Sequence, residues 1–389
     1  MQEVLIDITR LVKRFIRNRL PTGIDRVALA YVRQYGSNAR AVLRVGGWQC
    51  VFRRAESEDL FSWVLALGQS ASPLRTLFKG FAAALLEKST KGCFLFNVGH
   101  SGLESDAYIN MLERKQLKPI FMVHDLIPIT HPQYCRAGEQ SKHLRRMHNA
   151  VRSASGIVCN SQATLHDLQR LCEERGWVMP PTVVALLAPE PLMANRVAAP
   201  EGQPYFVYVS TIEPRKNHQM LLQAWIKLAH QLGDAAPRLV LIGQTGWDYN
   251  DVMDLLASSN VLKRLVTHIS DCSDADMVGT LNGARALLFP SFTEGFGMPL
   301  VEALALGLPV IASDLPVFRE FAGNIPDYID VADENRWIQT IASYCKPNSQ
   351  RRSDQLARVA GFVAPGWPAH FAKVDSFLNE LAMKRARDE

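Results

Sequence analysis

At 389 residues the chain is too long for one ordinary hydrophobic core, so two domains are expected. A composition of 48% hydrophobic and 21% charged residues excludes a disordered chain, and no stretch reaches the ~20 apolar residues that span a bilayer. The net charge of +5 leaves nucleic acid open on charge alone, but no zinc-finger or RNA-recognition signature supports it, so no nucleic acid is expected as a partner. Seven cysteines, an odd number without a C-x-x-C pair, argue against a disulfide framework and a zinc site. With no signal-peptide pattern at the N-terminus, the reducing cytosol is the expected compartment.

Glu3 to Ile8 (EVLIDI) reads as a first strand. The residues after it do not form G-x-G-x-x-G, which argues against a nicotinamide oxidoreductase. Instead Arg10, Lys13, Arg14, Arg17 and Arg19 alternate with Leu11, Val12, Phe15 and Ile16. As a helix this stretch would carry one basic and one apolar face, the pattern of helices that lie on anionic membranes. The competing reading puts the apolar residues in a core and leaves the cations to hold a phosphate. Pro21-Thr22-Gly23-Ile24 comes next, with a helix expected from near Asp25. Thr22-Gly23 is either an ordinary turn or a helix start able to meet a diphosphate.

Ala41 to Val45 and Cys93 to Val98 are further expected strands, with Leu60 to Lys88 mostly helical between them. Gly99-His100-Ser101-Gly102 then forms a loop at a strand's carboxyl end, a reasonable place for His100 to contact a ligand. Pro119 to Val123 delivers His124-Asp125 into the next loop. Imidazole can hydrogen-bond a ligand hydroxyl, and Asp125 can fix its tautomer or touch the ligand itself. Lys142, Arg145, Arg146 and Arg152, alternating with His143 and His148, form a second basic cluster whose plain reading is solvated surface. Gly156 to Asn160 is a strand, Ser161 a suitable N-cap for a helix through Glu174, and Thr182 to Leu187 the last strand of the first domain. Pro189 to Pro204, with four prolines and no periodicity, reads as the linker.

Tyr205 to Ser210 (YFVYVS) opens the second domain, and Thr211-Ile212-Glu213-Pro214-Arg215-Lys216-Asn217 leads to a helix from about His218. Adjacent cations at a strand-to-helix junction suit a diphosphate whose leaving charge must be neutralised. Arg238 to Ile242 and Val266 to Ile269 are the next strands. The most informative stretch is Arg285 to Asp314 (RALLFPSFTEGFGMPLVEALALGLPVIASD). Its apolar run stops at Pro290, a glycine-punctuated loop comes after it, and Pro299 stands where a first helical turn begins. Glu294 lies in the loop and Glu302 eight residues later, expected in that first turn. Gly295 and Gly297 let backbone approach a ligand, the turn's free amides attract an anion, and Glu302 can accept from two ribose hydroxyls. Phe371, Val374, Leu378 and Leu381 mark a closing amphipathic helix.

The sequence E-G-F-G-M-P-L-V-E resembles the E-x7-E signature of the retaining GT-B glycosyltransferases of family 4. The likeness runs over about fifty continuous residues, from SDCSDADMVGTLNGARALLFPSF to ALALGLPVIASDLPVFRE. It implies an α/β chain of GT-B fold, two Rossmann-like domains with parallel sheets facing a cleft. Residues 1–195 would bind the acceptor, 196–366 the nucleotide-sugar donor, and 367–389 would return as a helix to the first domain. V-H-D-L-I-P resembles the family's donor-contacting histidine motif at His124. Lys216 fits the family's lysine, whereas Ser210-Thr211 stands where Gly-Arg is usual, so Arg215 would substitute from another angle. The pattern D-I-T-R…T-G-I-D-R-V further resembles the opening of bacterial polysaccharide mannosyltransferases.

The resemblance thus implies a retaining, metal-independent hexosyltransferase, with no cofactor beyond its nucleotide-diphospho-sugar substrate. Mannose from GDP-mannose, moved onto a bacterial surface polysaccharide or lipid-linked glycan, is the favoured reaction; UDP-glucose or UDP-N-acetylglucosamine is the alternative donor. Glu294, His124 and Lys216 would be catalytic. Arg215, Glu302, Gly23, Gly295, Phe296, Gly297, Met298, Pro299 and Leu300 would hold the donor, and Asp125 and His100 the acceptor. A peripheral place on the anionic inner face of the cell membrane is expected from the basic N-terminal segment. An inactive membrane-surface scaffold is the rival from another class, against which Glu294, Glu302 and Lys216 all speak.

Overall fold

The computed structural model describes residues 3–45, 48–69, 73, 76–77, 90–189 and 203–388. The expected linker falls almost wholly outside them, as does most of the expected helical stretch after residue 69. The chain folds as two compact units. One holds Met1–Thr130, Ala137–Leu187 and Trp367–Glu389; the other holds His131–Arg136 and Ala188–Gly366.

The first unit is built on seven strands: β1 (Val4–Asp7), β2 (Ala39–Val45), β3 (Trp48–Val51), β4 (Phe94–Asn97), β5 (Lys118–Val123), β6 (Gly156–Cys159) and β7 (Thr182–Val184). Their order is β3-β2-β1-β4-β5-β6-β7, all parallel except β3, which pairs antiparallel with β2 (Val42 opposite Val51). Buried parallel strands read as unbroken apolar runs, as FLFN in β4 and GIVC in β6 do. Leu5, Leu95, Phe121 and Ile109 lie in one core cluster, and Val123, Ile157, Leu168 and Leu171 in another. Ser161 caps the Gln162–Arg175 helix by accepting from the Thr164 amide, and Gly176 ends it at φ 65°.

The closing helix, Trp367–Asp388, is part of this first unit. Phe371 and Val374 are buried, and the Tyr35 hydroxyl donates to Asp375 at 2.9 Å. His370 bridges two elements: its Nδ1–H donates to the Leu186 carbonyl at 3.0 Å while Nε2 accepts from Tyr31 at 3.0 Å. Gly156 is required where this helix crosses, because a Cβ there would meet the Phe377 ring at 2.7 Å.

The basic segment after β1 forms a helix, Thr9–Phe15, and here the structure corrects the membrane-face expectation. Leu11, Val12 and Phe15 are buried in the first unit, Phe15 edge-on to Trp63 with ring centroids 6.2 Å apart; only Ile16 of that face is exposed. Burying three such side chains is favourable by ~1.5–3 kcal/mol each, so they are not available to lipid.

The second unit carries β8 (Tyr205–Val209), β9 (Arg238–Ile242), β10 (Val266–Ile269), β11 (Leu287–Phe289), β12 (Val310–Ser313) and β13 (Asp327–Ile329). Their order is β10-β9-β8-β11-β12-β13, all parallel. Trp225, Phe206, Phe289, Phe318 and Trp337 fill its core.

Candidate active site

In the second sheet the strand order reverses between β8 and β11. Loops leaving the carboxyl ends of those two strands meet at this switch point, the usual ligand position in a doubly wound sheet. The sequence has punctuated both loops. After β8 comes a short turn, Pro214–Lys216, with Asn217 at φ 56° before the His218–Leu232 helix. After β11, the chain runs to Gly297 at φ +103°, where a Cβ would lie 2.5 Å from the Phe318 ring. Only glycine fits there, and it starts the Met298–Ala305 helix with Pro299 in the first turn.

These loops bring Glu294, Lys216 and Arg215 together. Lys216 Nζ donates to Glu294 Oε1 at 2.5 Å, and Arg215 Nη1 donates to Oε2 at 2.8 Å. Arg215 also donates to the Thr293 carbonyl at 2.9 Å and to Glu213 at 2.8 Å. Its own carbonyl accepts from the Phe292 amide at 2.9 Å, so the two loops are sewn together by main chain as well. Burial alone would raise the Glu294 carboxyl; Arg215 and Lys216 outweigh it and hold the pKa at about 2. Lys216 is pulled below the ordinary lysine value by burial and by Arg215, against the opposing pull of Glu294.

The lysine is fixed from below by residues that sequence reasoning did not single out. The Tyr208 hydroxyl donates to the Lys216 carbonyl at 2.7 Å and lies 3.3 Å from Ser291 Oγ. Within YFVYVS the second tyrosine looks like any other strand aromatic, so only its burial at the sheet's switch point reveals the role. In the same unit Tyr134 stacks on Phe292, with ring centroids 4.7 Å apart, beside the loop that carries Glu294.

Glu302 departs from expectation in one respect. It is the fifth residue of its helix, in the second turn, and no acid occupies the first. The helix starts at Met298 because Gly297 takes the N-cap position, which carries Glu302 past the free amides; its carboxylate is buried. Phe296 and Leu300 turn their side chains into the core, Phe296 against Phe321 at 4.9 Å, so toward a ligand they offer backbone. Gly295, Met298 and Pro299 are half-buried around them.

In the first unit, His124 leaves β5 and its Nε2–H donates to the Val98 carbonyl at 2.7 Å. That bond sets the tautomer and leaves Nδ1 as acceptor, correcting the expectation that Asp125 does so. Asp125 instead accepts from the Ile127 amide at 3.1 Å and starts the short Ile127–Thr130 helix. His100, at φ 56°, donates from Nε2 to the Met122 carbonyl at 2.5 Å, and His143 to the Asp125 carbonyl at 3.1 Å. The His100 ring lies 5.3 Å from His124 and 5.9 Å from His143. Burial lowers all three pKa values, and for His100 the other two imidazoles add to it. Much of the second basic cluster is paired: Arg146 with Glu104 at 3.2 Å, Arg152 with Asp106 at 3.0 Å and Lys142 with Glu139 at 3.4 Å.

Gly23 is the first residue of the Gly23–Tyr35 helix, and open space lies where its Cβ would be. The anchor of that corner is Asp25, fully buried and missed in the sequence as anything but a helix start. It accepts from Arg10 at 2.7 Å, from the Thr22 amide at 2.8 Å and from the Thr22 hydroxyl at 2.5 Å, and Arg14 lies at 3.1 Å. Asp7 accepts from the Thr9 amide and from Arg44, both at 2.9 Å. The pattern D-I-T-R…T-G-I-D-R-V therefore folds into two hydrogen-bonded groups, Asp7 with Thr9 and Arg44, and Asp25 with Arg10, Arg14 and Thr22.

Residues 191–338 match the family model described as glycosyl transferases group 1, a span that contains Lys216, Glu294 and Glu302. Residues 191–338 carry a group 1 glycosyl transferase domain. The chain is 29% identical over 255 residues to the serotype-specific mannosyltransferase WbdA of Escherichia coli, covering 59% of this chain and 31% of that protein. It is 32% identical over 164 residues to the O-antigen chain mannosyltransferase RfbU of Salmonella typhimurium, covering 42% of this chain and 43% of that one. The matches thus span about a third to under half of those relatives. Among solved structures, Anabaena HepE in complex with UDP-glucose superposes with TM-score 0.66 at 15% identity over 100% of both chains. Sucrose-phosphate synthase from Thermosynechococcus elongatus gives TM-score 0.64 at 16% identity, over 99% of this chain and 100% of that one. These likenesses establish the GT-B fold.

Proposed function

We propose that this protein is a retaining glycosyltransferase that moves mannose from GDP-mannose onto a growing bacterial surface polysaccharide or its lipid-linked precursor. One observation carries the reading: Lys216 and Arg215 converge on Glu294 at the switch point of the second sheet, beside the start of the Met298–Ala305 helix. Two cations and a helix N-terminus are what a departing nucleoside diphosphate needs. A diphosphate that takes the two cations releases Glu294 to accept from donor-sugar hydroxyls and to favour the positive charge that grows on the sugar. Glu302 is assigned to the ribose, and His124, through its free Nδ1, to a sugar hydroxyl or phosphate. The names of the WbdA and RfbU relatives support mannose and an O-antigen-type acceptor.

The chemistry asks for no metal, because cationic side chains and amides supply the neutralisation. A lipid-linked acceptor would draw the protein to the inner membrane face; among the described residues no helix is long and apolar enough to cross a membrane. The test is thermal unfolding with GDP, UDP and their sugars in EDTA. GDP and GDP-mannose should raise Tm at millimolar concentration. A shift with UDP alone would replace the donor, and no shift with any nucleotide would overturn the reading.

A further inference from the structure

A crevice lies in the first unit, at the corresponding topological position. The first sheet reverses its order between β1 and β4. Residues that come after those two strands, joined by Arg146 of the Glu139–Ser153 helix, line a cavity of about 340 Å³, within the ~300–1,000 Å³ range of small-molecule sites. Six of its lining side chains are cations: Arg10, Lys13, Arg14, Arg17, Arg19 and Arg146. The only carboxylate among the lining residues is Glu104, paired with Arg146 at 3.2 Å. Asp25 holds Arg10 and Arg14 from beneath. Lys13, Arg17 and Arg19 are exposed, and among the described residues none of them is ion-paired to a carboxylate.

The cavity is built rather than incidental. The loop after β4 presents backbone because larger residues would not fit. A Cβ on Gly99 would lie 2.9 Å from Arg10 Cδ, and one on Gly102, at φ +80°, would overlap the Arg44 guanidinium. Arg44 clamps that loop through the Ser101 carbonyl and is itself held by Asp7. The apolar side of the Thr9–Phe15 helix is in the core, so the cations converge on a concavity and do not border a greasy face. A concave cluster with a surplus of positive charge selects a compact polyanion, and guanidinium forks favour phosphate oxygens.

We propose that this cavity binds the phosphate or diphosphate group of the acceptor, an inference that rests on the glycosyltransferase reading. That group is either the diphosphate ester of a lipid-linked glycan or the phosphate of a soluble sugar phosphate. A triple variant, Lys13→Ser/Arg17→Ser/Arg19→Ser, removes only exposed cations outside the Asp25 cluster, and circular dichroism checks that it folds.

Inorganic pyrophosphate is titrated calorimetrically at low salt, in a Lys216→Ser background so that the second unit contributes little. The triple variant should bind it at least tenfold more weakly, and equal binding overturns the proposal. In the otherwise native chain, the triple variant should hydrolyse the nucleotide sugar at an unchanged rate. It should lose at least tenfold in kcat/KM toward a short-chain prenyl diphosphate glycan, with little change toward the same glycan lacking phosphate. Equal loss toward both acceptors, or loss of donor hydrolysis, overturns the assignment to the acceptor. A soluble sugar phosphate tested beside the prenyl diphosphate glycan tells which source the cavity serves. Anionic vesicle flotation that falls in the triple variant while pyrophosphate binding stays intact would make the patch a membrane contact and overturn the pocket. If the wild type binds and hydrolyses no nucleotide sugar, the glycosyltransferase reading fails, and the pyrophosphate titration still reports on the cavity alone.

Discussion

Lys216 Nζ stands 2.5 Å from Glu294 Oε1 although the two lie 78 positions apart in the chain. The contact contributes to the acid stability of the second unit. The folded carboxyl has its pKa near 2, below its ordinary 4.5, so its stabilising contribution is complete above about pH 4.5 and is lost as pH falls through about 2. Glu294→Gln should be destabilised at pH 7, since breaking a buried ion pair costs ~3–5 kcal/mol, and by less here because Arg215 keeps Glu213. Urea unfolding should show the gap between wild type and variant narrowing from pH 7 to pH 3. A gap independent of pH would mean the ion pair is not what holds the loop.

The two glutamates should divide by kinetic constant. On the proposed roles, Glu294→Ala is expected to lower kcat, because a contact with the sugar would strengthen as charge develops. Glu302→Ala is expected to raise KM, because a ribose contact is similar in ground and transition states. Each lost bond to a carboxylate is worth ~1.5–3 kcal/mol. Steady-state kinetics with varied donor separates the two, and matching changes in both constants from both variants would sink the division.

Lys216→Ala should cost more in turnover than Arg215→Ala. Lys216 is buried, held from below through its carbonyl by Tyr208, and ion-paired through its ammonium to Glu294. Arg215 divides its guanidinium among Glu294, Glu213 and the Thr293 carbonyl. Losing one electrostatic contact to a leaving diphosphate is worth ~3 kcal/mol in the barrier. Single-turnover rates would reverse the two roles if Arg215→Ala proved the slower.

How much of this was legible in the sequence depended on range. The strands of the second sheet announce themselves as apolar runs, and Pro290, Gly297 and Pro299 mark where β11 ends and the helix starts. Those are local signals, and the site loops could be placed from them. Long-range facts had no such signal. The amphipathic pattern of Leu11, Val12 and Phe15 says that one face is apolar, and only packing says that Trp63 and the core cover it rather than lipid. Asp25 looked like a helix start, whereas its partners Arg10 and Arg14 lie 15 and 11 positions earlier and meet it only through the turn between two helices. Glu302 moved one turn along its helix because Gly297 became the cap.

The histidine cluster of the first unit gives the last expectation. His100, His124 and His143 each donate Nε2–H to a backbone carbonyl, so each is complete as a neutral ring. A second proton would place charge in a buried site, with two imidazoles facing His100 and the Arg146 guanidinium adding repulsion at His100 and His143. Asp125 opposes this at His124 and His143 but does not outweigh burial. All three folded pKa values therefore lie below the ordinary 6.5, and the unfolded chain takes up protons first. Stability from these groups is complete above about pH 6.5 and falls as the pH drops below it, by at most ~1.4 kcal/mol per pH unit for each proton. His143→Gln keeps a donor for the Asp125 carbonyl but cannot titrate. Its unfolding free energy should decline less steeply than that of wild type between pH 6.5 and pH 5, and equal slopes would show that His143 takes its proton in the folded protein as readily as in the unfolded chain.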